Sequence, residues 1–497
     1  MRASGILLPI FSLPGKYGIG GFTKESYKFV DFLKRAHQKY WQILPLGPTG
    51  YGDSPYQSFS TFAGNPYYID LDALVAEGLL TEDECKQHDA SGASDKIDYE
   101  KLYNTRFELL RLAFKRSNIR NNHQFNEFAS QNAYWLDDYA LFMALKNKFG
   151  GKAWTEWDED IRIRKPEALE KERGALAEEC DFYRFQQFYF ITQWSALKKY
   201  ANENGIEIIG DIPIYVAADS SDTWANPELF DLNDENIPNK VAGCPPDPFA
   251  LTGQLWGNPL YDWEYHKETG YEWWIKRMEF CFNLYDVVRI DHFRGFDEYY
   301  AIPYGDPTAE FGTWQKGPGY DLFKAIKEKL GEKKVIAEDL GFLTDSVREM
   351  VKMTGYPGMK VLQFGFYGGP DGEYLPHMLE RNSVMYTGTH DNETSKGWYE
   401  NLIDTKDKHT SKFFDEYTGN DFVETAASVM VRTAMNSISD TCIIMMQDYL
   451  NLGNEARINR PSTLGDNWVW RIKKGATTAK LADKIAHLTH LSGRDLY

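Results

Sequence analysis

The chain has 497 residues and a net charge of −18, from 55 Lys and Arg against 73 Asp and Glu. This acidity argues against nucleic acid or anionic membrane as the main partner, because both bind basic surfaces. No stretch of the sequence reaches the roughly 18 apolar residues of a membrane span. The length allows about three domains, or a single barrel that carries insertions.

The five cysteines are odd in number, widely spaced and never arranged as C-x-x-C. Neither a disulfide framework nor a zinc site is therefore indicated, and a reducing compartment fits best. The apolar run in MRASGILLPIFSLPG is broken by Pro9 and Pro14 and is too short for a signal peptide. We therefore expect a cytoplasmic protein.

The first half of the chain predicts two strands and a helical segment. An amphipathic helix pattern over 23–39 leads into a predicted strand at Trp41–Leu46. The Gly-, Ser- and Tyr-rich loop that follows is too long for a plain connection, which favours a functional role. A second strand is predicted at Tyr67–Leu71, and residues 73–205 predict a mostly helical inserted subdomain. Its clearest helical windows are 102–118, 126–149 and 182–204.

The second half alternates strands and helices, as parallel sheets with right-handed crossovers do. A strand at Ile206–Ile212 is followed by a predicted substrate-binding loop at 244–263. With the two earlier strands and five later ones the count is eight, the number that closes a (β/α)₈ barrel. We predict an α/β fold, one TIM barrel over residues 1–497 with the helical insertion and long loops over its C-terminal face. The later strands are predicted at 286–291, Val335–Gly341, Lys360–Phe366, Val384–Thr394 and Cys442–Leu450, with helices at 320–330, 344–354, about 373–381 and up to about 438.

The window DVVRIDHFRGF places two opposite charges on one strand. Arg289 and Asp291 are two residues apart, so their side chains project to the same face. The strand is apolar at nearly every other position, which is typical of a parallel strand covered on both faces. A charged pair there is either a buried ion pair or part of a site, and this window alone leaves both interpretations open.

Acidic residues recur at the predicted strand ends, which meet at the C-terminal mouth of a barrel: Asp211, Asp291, Glu338, Asp391 and Asp448. A single Asp at a strand end is usually a turn or capping residue. Several carboxylates converging on one mouth raise one another's pKa and need a functional reason. No His, Asp and Glu grouping has the spacing of a metal site, so we expect acid and base chemistry without a metal.

A retaining glycosidase needs two carboxyl groups about 5 to 5.5 Å apart, one ionised and one protonated. Asp291 suits the nucleophile, because the neighbouring Arg289 is expected to lower its pKa. Glu338 follows the apolar VIA run, so a drier site is expected to raise its pKa, as an acid/base catalyst requires. Asp391 and His390 are candidates to bind sugar hydroxyls and to stabilise the transition state.

The order RID, AEDLG and THDN on successive strands resembles the α-amylase clan. Further motifs between residues 5 and 471 are similar to those of the amylomaltase or disproportionating-enzyme family of 4-α-glucanotransferases, glycoside hydrolase family 77. These motifs are SLPGKYGIG, WQILPLGPTGYGDSPYQSFSTFAGNP, GDIPIYVAADSSDTWANP, PPDPFALTGQLWGNPLYDW, VVRIDHFRGF, GTWQKGPG and NWVWR.

The resemblance implies that Asp291 is the nucleophile, Glu338 the acid/base and Asp391 the transition-state stabiliser, supported by Arg289 and His390. It implies transfer between maltooligosaccharides or α-1,4-glucans, which serve as donor and acceptor, with no metal or organic cofactor. A hydrolase with the same chemistry and a silent glucan-binding protein on the same barrel are the alternatives. A monomer or weak homodimer is expected.

Further candidates for substrate binding come from the loops. Two aromatic residues of the 244–263 loop look like sugar-facing groups, and an asparagine there looks like a hydroxyl partner, with loop packing as an equal alternative for each. The tyrosine of GDSPY carries the same two interpretations. The additional substrate-binding candidates are Tyr56, Asp211, Phe249, Trp256, Asn258 and Asn392.

Overall fold

Eight parallel strands close into a barrel in the computed structural model, which describes residues 2–50, 52–92, 96–246, 250–341, 343–420 and 424–495. Around the barrel the order is β1-β12-β11-β10-β9-β6-β3-β2, so the predicted TIM barrel is confirmed. The strands are β1 (Ala3–Leu7), β2 (Tyr40–Gln42), β3 (Glu207–Pro213), β4 (Lys240–Cys244), β5 (Gln254–Pro259), β6 (Val287–Asp291), β7 (Glu298–Pro303), β8 (Thr313–Lys316), β9 (Val335–Ala337), β10 (Gly358–Val361), β11 (Ser383–Tyr386) and β12 (Thr441–Met445).

Helices surround this barrel, and one large apolar core joins them to the strands. Among the helices that the structure describes, none is long and apolar enough to cross a membrane. The helices are α1 (Lys24–Arg35), α2 (Leu71–Ala76), α3 (Glu82–Gln87), α4 (Tyr99–Ser117), α5 (His123–Gln131), α6 (Ala133–Lys148), α7 (Glu159–Arg162), α8 (Pro166–Ala175), α9 (Ala177–Glu203), α10 (Ser221–Ala225), α11 (Trp263–Glu268), α12 (Glu272–Leu284), α13 (Tyr320–Leu330), α14 (Asp345–Thr354), α15 (Leu362–Tyr367), α16 (Ser395–Asp404), α17 (Lys408–Thr418), α18 (Ala426–Met435), α19 (Met446–Tyr449) and α20 (Ala479–Leu491). Short 3₁₀ turns lie at Ile10–Ser12, Pro66–Tyr68, Ile119–Asn121, Trp154–Glu156, Pro227–Leu229, Phe293–Phe296, Gly369–Asp371, Pro376–Met378 and Asn454–Ala456.

The barrel contains a strand that the sequence did not predict and lacks one that it did. β1 is buried throughout and pairs with both β12 and β2, which closes the barrel. Its sequence ASGIL is rich in small residues of low strand propensity, so the pattern gives little signal. The predicted strand at Tyr67–Leu71 is wrong. There a 3₁₀ turn capped by Asn65 is followed by α2, capped by Asp70.

Several later strands are shorter than predicted. β10, β11 and β12 end at Val361, Tyr386 and Met445, and α15 and α19 begin directly after β10 and β12. At β10 and β12 the buried apolar run continues into the helix, with Leu362 and Met446, so hydrophobicity alone does not mark these strand ends. The helix predicted at about 373–381 is only the 3₁₀ turn Pro376–Met378.

A second sheet of four antiparallel strands, β5-β4-β7-β8, is inserted in the connections that follow β3 and β6. These connections leave the C-terminal ends of barrel strands, so the sheet lies on the side where a TIM barrel carries its site. The segment 244–263 is therefore not a continuous loop, because it contains β5 and the first residue of α11.

The segment between β2 and β3 is mostly helical, as predicted for 73–205, and contains α2 to α9. Its last helix, α9, packs against α1 and leads back into β3. The buried Trp194 indole on α9 donates to the carbonyl oxygen of Leu284 at 3.1 Å. The last helix of the segment therefore packs as one of the helices around the barrel. That the segment forms a separate subdomain stays a prediction.

Candidate active site

Three acidic residues lie at or just beyond the ends of three barrel strands, at the C-terminal mouth. Asp291 is the last residue of β6, Glu338 follows β9 directly, and Asp391 lies a few residues beyond β11. β6 and β9 are hydrogen-bonded neighbours. The backbone N–H of His292 donates to Glu338 Oε2 at 2.6 Å, which places this carboxyl beside the residue that follows Asp291.

Backbone groups fix the direction of the Glu338 carboxyl. Its second oxygen, Oε1, accepts from the N–H of Leu340 at 3.1 Å. His292 adopts φ 52°, a left-handed conformation that turns the chain sharply as β6 ends. The N–H of His292 in this turn donates to Glu338, so the ends of β6 and β9 are held together by local backbone geometry.

Arg289 links two carboxylates through a single buried guanidinium. Its Nη1 donates to both oxygens of Asp211 at 2.7 Å, and its Nη2 donates to Asp291 Oδ1 at 3.0 Å. Asp211 stands opposite Arg289 in the register of β3 and β6. The ion pair between Arg289 and Asp291 is therefore present, and Arg289 forms a second ion pair with the buried Asp211.

Burial raises the pKa of Glu338 to about 8, and the negative charge of Asp291 adds to this shift. Burial also raises the pKa of Asp291 to about 6, against the lowering effect of Arg289. Arg289 lowers the pKa of Asp291, as expected, but burial outweighs this cation, which is shared with Asp211, so the net shift is upward. The two carboxyls influence each other's titration. As the pH falls, Glu338 takes up a proton before Asp291 does.

Asp391 is held as an anion. Burial alone would raise its pKa, but the charge and hydrogen bond of His390 and the amide of Asn459 lower it to about 2. His390 Nε2 lies 3.3 Å from Oδ2, and Asn459 Nδ2 donates to Oδ1 at 2.6 Å. The carboxylate of Asp391 in turn raises the pKa of His390, which outweighs the lowering effect of burial.

Tyr56 joins this group from the loop after β2. Its hydroxyl donates to Asp211 Oδ2 at 2.7 Å, and its ring stacks on His390 with centroids 5.1 Å apart. Trp468, from the C-terminal segment, packs against Tyr56 at 5.8 Å and His390 at 5.9 Å. Residues from widely separated parts of the sequence thus meet around His390.

The sequence matches the model of glycoside hydrolase family 77, described as 4-alpha-glucanotransferase, over residues 8–478. The chain belongs to this family. It is 50% identical to the 4-alpha-glucanotransferase of Clostridium butyricum, covering 98% of this chain and 99% of that relative. It is 52% identical to that of Streptococcus pneumoniae, covering 99% and 97%.

Solved structures of the family share the fold. An amylomaltase from Streptococcus agalactiae, in complex with acarbose, is 42% identical and superposes with a TM-score of 0.96 over 99% of this chain and 100% of that chain. An amylomaltase from Corynebacterium glutamicum is 18% identical, with a TM-score of 0.79 over 98% of this chain and 75% of that chain. The second likeness concerns the barrel fold alone.

Four residues of this glucanotransferase-family site were not among the sequence candidates. Asn459 donates its side-chain amide to Asp391 and its backbone N–H to the carbonyl of His390 at 3.0 Å, and Arg457 donates to the Asp391 carbonyl at 2.7 Å. Trp468 and His292 complete the set. The RIDHF motif contains His292, whose pKa burial lowers to about 3, so its imidazole is neutral at neutral pH.

The remaining candidates are placed differently. Trp256 lies in the site, with its ring edge-to-face against His292 at 4.8 Å. Asn258 is buried, donates to the Val216 carbonyl at 2.7 Å and accepts from Gln57 at 3.2 Å, so its amide is engaged in packing the loop. Asn392 accepts from both the backbone N–H and the hydroxyl of Thr389 at 2.9 Å. Phe249 lies outside the described residues.

Asp448 holds the backbone near the site in place through hydrogen bonds. Its carboxylate accepts from the Thr387 hydroxyl at 2.6 Å and from the Ser395 N–H at 2.7 Å. It therefore anchors both ends of the segment that carries Asp391. Within the described ranges, no group of three or more His, Cys, Asp and Glu side chains has an arrangement that would hold a metal ion.

Replacing Asn459 with Ala is expected to lower kcat on maltotriose by about tenfold, because Asp391 loses one of the two side chains that orient it. The lost hydrogen bond to a charged group should cost about 1.5 to 3 kcal/mol of folding stability. Kinetics and thermal unfolding measure the two effects. Asn467→Ala is the matched control, since the hydrogen bonds of Asn467 to Arg460 and Thr463 stay within the same segment and do not reach Asp391. An equal kcat loss in both variants would contradict a specific role for Asn459.

Proposed function

We propose that this protein is a 4-α-glucanotransferase that transfers α-1,4-glucan segments between maltooligosaccharides by a retaining double displacement. The observation that carries the proposal is the pair Asp291 and Glu338, whose carboxyls lie at the ends of neighbouring strands and differ in proton affinity. One carboxylate and one carboxylic acid are the requirement of retaining glycoside chemistry. Relatives with this activity in their names, at 50% and 52% identity, support it.

In the first step Asp291 attacks the anomeric carbon while Glu338 gives its proton to the glycosidic oxygen. The bond to the leaving chain breaks, and a glycosyl ester forms on Asp291. The raised pKa of Glu338 keeps its proton available near neutral pH. Arg289 donates a hydrogen bond to the Asp291 carboxylate at 3.0 Å, which holds the carboxylate in position for attack.

In the second step the hydroxyl of an incoming glucan attacks the same carbon, and Glu338 takes its proton. The ester bond to Asp291 breaks and the configuration is restored. Once Asp291 is esterified its charge is gone, so Glu338 loses the neighbour that raised its pKa and becomes ionised more readily. The same carboxyl thus serves as acid first and base second.

The remaining groups bind and orient the sugar in this proposal. Asp391, ionised and braced by His390, stabilises the positive charge that develops at the anomeric carbon. His390 and Tyr56 line the same cleft, and Trp256 offers an aromatic surface beside His292. Substrate-binding roles for Asp211, Asn258, Asn392 and Phe249 remain predictions.

Incubation with maltotriose tests the proposal. We expect free glucose together with longer maltooligosaccharides, while the total number of reducing ends stays constant. Transfer exchanges one glycosidic bond for another, so no reducing end is created. A steady rise in the number of reducing ends would mean that the protein is a hydrolase instead. If maltotriose were not consumed at all, glucan binding without catalysis would be the remaining function.

The plot of kcat/KM against pH should be bell-shaped, with one limb near pH 6 and the other near pH 8. Asp291 must be ionised, so kcat/KM falls as pH drops below its pKa of about 6. Glu338 must be protonated, so kcat/KM falls as pH rises above its pKa of about 8. Initial rates with maltotriose across this range measure both limbs. A rate that is flat up to pH 10 would contradict the assignment of Glu338 as the acid.

We further propose a cytoplasmic location and a monomer or weak homodimer. Cys85, Cys180, Cys281 and Cys442 carry free thiols, which supports a reducing compartment. Size-exclusion chromatography with light scattering measures the assembly state directly.

A further inference from the structure

A cavity opens at the N-terminal end of the barrel, on the side opposite the candidate active site. Its volume is about 470 Å³, which lies within the range of about 300 to 1,000 Å³ that small-molecule sites occupy. The lining comes from the N-terminal halves of barrel strands and from the last turns of α13 and α14. We call this space the lower cavity.

The deep wall of the lower cavity lies one layer below the residues of the site. Ile209 is two positions before Asp211 on β3, and Val287 is two positions before Arg289 on β6. Residues two apart on a strand project to the same face, so these apolar side chains point into the barrel as the ion pair above them does. The wall is apolar and its side chains are buried: Ile209, Val287, Ile336 and Val384.

Ion pairs edge the mouth of the lower cavity. Glu207, the first residue of β3, pairs with Lys334 at 2.6 Å and with Lys39 at 3.0 Å. Lys327, in the last turn of α13, pairs with Glu332 at 2.5 Å. One carboxylate thus faces two ammonium groups in the first cluster, which leaves that cluster positively charged.

Two more lysines line the mouth, and neither forms an ion pair with an acidic side chain in the described part of the chain. Lys333 lies over the Phe282 ring at 5.5 Å, and Lys352 is exposed in the last turn of α14. Two further acids near this mouth have cationic partners of their own, in the pairs Asp286 with Lys198 at 3.5 Å and Asp440 with Arg381 at 3.3 Å. The mouth is therefore positively charged, in a protein whose net charge is −18.

We propose that the lower cavity binds a small organic anion that has an apolar body and one terminal carboxylate. The apolar body fits the deep wall, because its burial removes apolar surface from water on both sides. The carboxylate stays at the mouth, where lysine ammonium groups donate charge-assisted hydrogen bonds. A sugar chain does not suit this wall, because its hydroxyls would lose water without gaining partners. The site is separate from the catalytic cleft and does not depend on the proposed function.

Octanoate is the probe that tests both halves of the proposed ligand. By isothermal titration calorimetry we expect a Kd on the order of 0.1 to 1 mM, as suits a ligand of about ten non-hydrogen atoms. Octan-1-ol has the chain without the charge, and acetate has the charge without the chain. Each should bind at least tenfold more weakly than octanoate. Equal binding of octan-1-ol would overturn the role of the lysines, and equal binding of acetate would overturn the role of the wall.

The variant Lys333→Gln/Lys352→Gln tests the location. Both side chains are exposed, so the unfolding midpoint and maltotriose kinetics should match the parent, while the Kd for octanoate should rise about tenfold. Val384→Phe places a ring in the deep part of the cavity and should abolish octanoate binding. If Val384→Phe fails to fold, the lysine variant still decides the location.

Lys199→Gln/Lys412→Gln is the matched control, because it removes the same charge from α9 and α17 at side chains that are 77% and 76% exposed. It should leave the Kd for octanoate within twofold of the parent. Saturating maltotriose should not change this Kd, because the two ligands occupy opposite ends of the barrel. Competition between them would place octanoate in the catalytic cleft and overturn the proposal. No octanoate binding to the parent, or equal binding in the parent and the lysine variant, would overturn it as well.

Discussion

The variant Asp291→Asn is expected to lose transfer from maltotriose by on the order of 10⁴-fold, about 5.5 kcal/mol of barrier. An amide is a far weaker nucleophile than a carboxylate, so the glycosyl ester does not form. The fold should be retained, because Arg289 keeps its two hydrogen bonds to Asp211 and the new amide oxygen can still accept from it. Initial rates and the thermal unfolding midpoint measure both expectations.

Asp286→Asn is the matched control, at the opposite end of the same strand segment. Asp286 accepts from the Ile208 N–H and the Asn202 amide, both at 2.8 Å, on the far mouth of the barrel. Its amide keeps an acceptor oxygen, so activity should stay within about threefold. If Asp291→Asn retained activity within tenfold of the parent, Asp291 would not be the nucleophile.

The location of the three candidate acids at the ends of barrel strands was predictable from local sequence. Runs of β-branched residues that end in Asp or Glu mark strand ends, and parallel strands bring those ends to one mouth. The barrel itself was predicted with the correct number of strands but not the correct set. β1 is built of small residues and gave no strand pattern, whereas Tyr67–Leu71 has a strand-like composition and folds as a turn and a helix. In both segments, burial by neighbouring elements determines the secondary structure more strongly than local strand propensity does.

Interactions between distant segments were not predictable. Asn459 reaches Asp391 across 68 residues of sequence, and its surroundings carry no catalytic motif. The direction of the pKa shift of Asp291 depends on how Arg289 divides its hydrogen bonds between Asp211 and Asp291, and on the depth of burial. The adjacency of Arg289 and Asp291 was visible in the sequence, but the second partner of Arg289 comes from β3. Electrostatics of this kind follow from tertiary packing.

Glu338→Gln is expected to reduce transfer from maltotriose by about 10³- to 10⁴-fold, because an amide can neither protonate the leaving oxygen nor accept the acceptor's proton. With α-maltosyl fluoride as donor the first step should stay within tenfold of the parent, since fluoride leaves without a proton. The glycosyl ester on Asp291 should then accumulate and be visible by intact-protein mass spectrometry. In the pH profile with this donor, the limb near pH 8 should disappear.

Rescue by azide distinguishes a Glu338→Gln variant that has lost only its catalytic base from one that has lost its fold. Azide attacks the glycosyl ester without giving up a proton, so it should restore turnover of the fluoride donor in Glu338→Gln and yield a maltosyl azide of α configuration. Two inversions at the anomeric carbon, first by Asp291 and then by azide, require that configuration. A β-configured azide would mean a single displacement in which Asp291 forms no ester. Absence of rescue in a variant with a parent-like unfolding midpoint would mean that Glu338 is not the base.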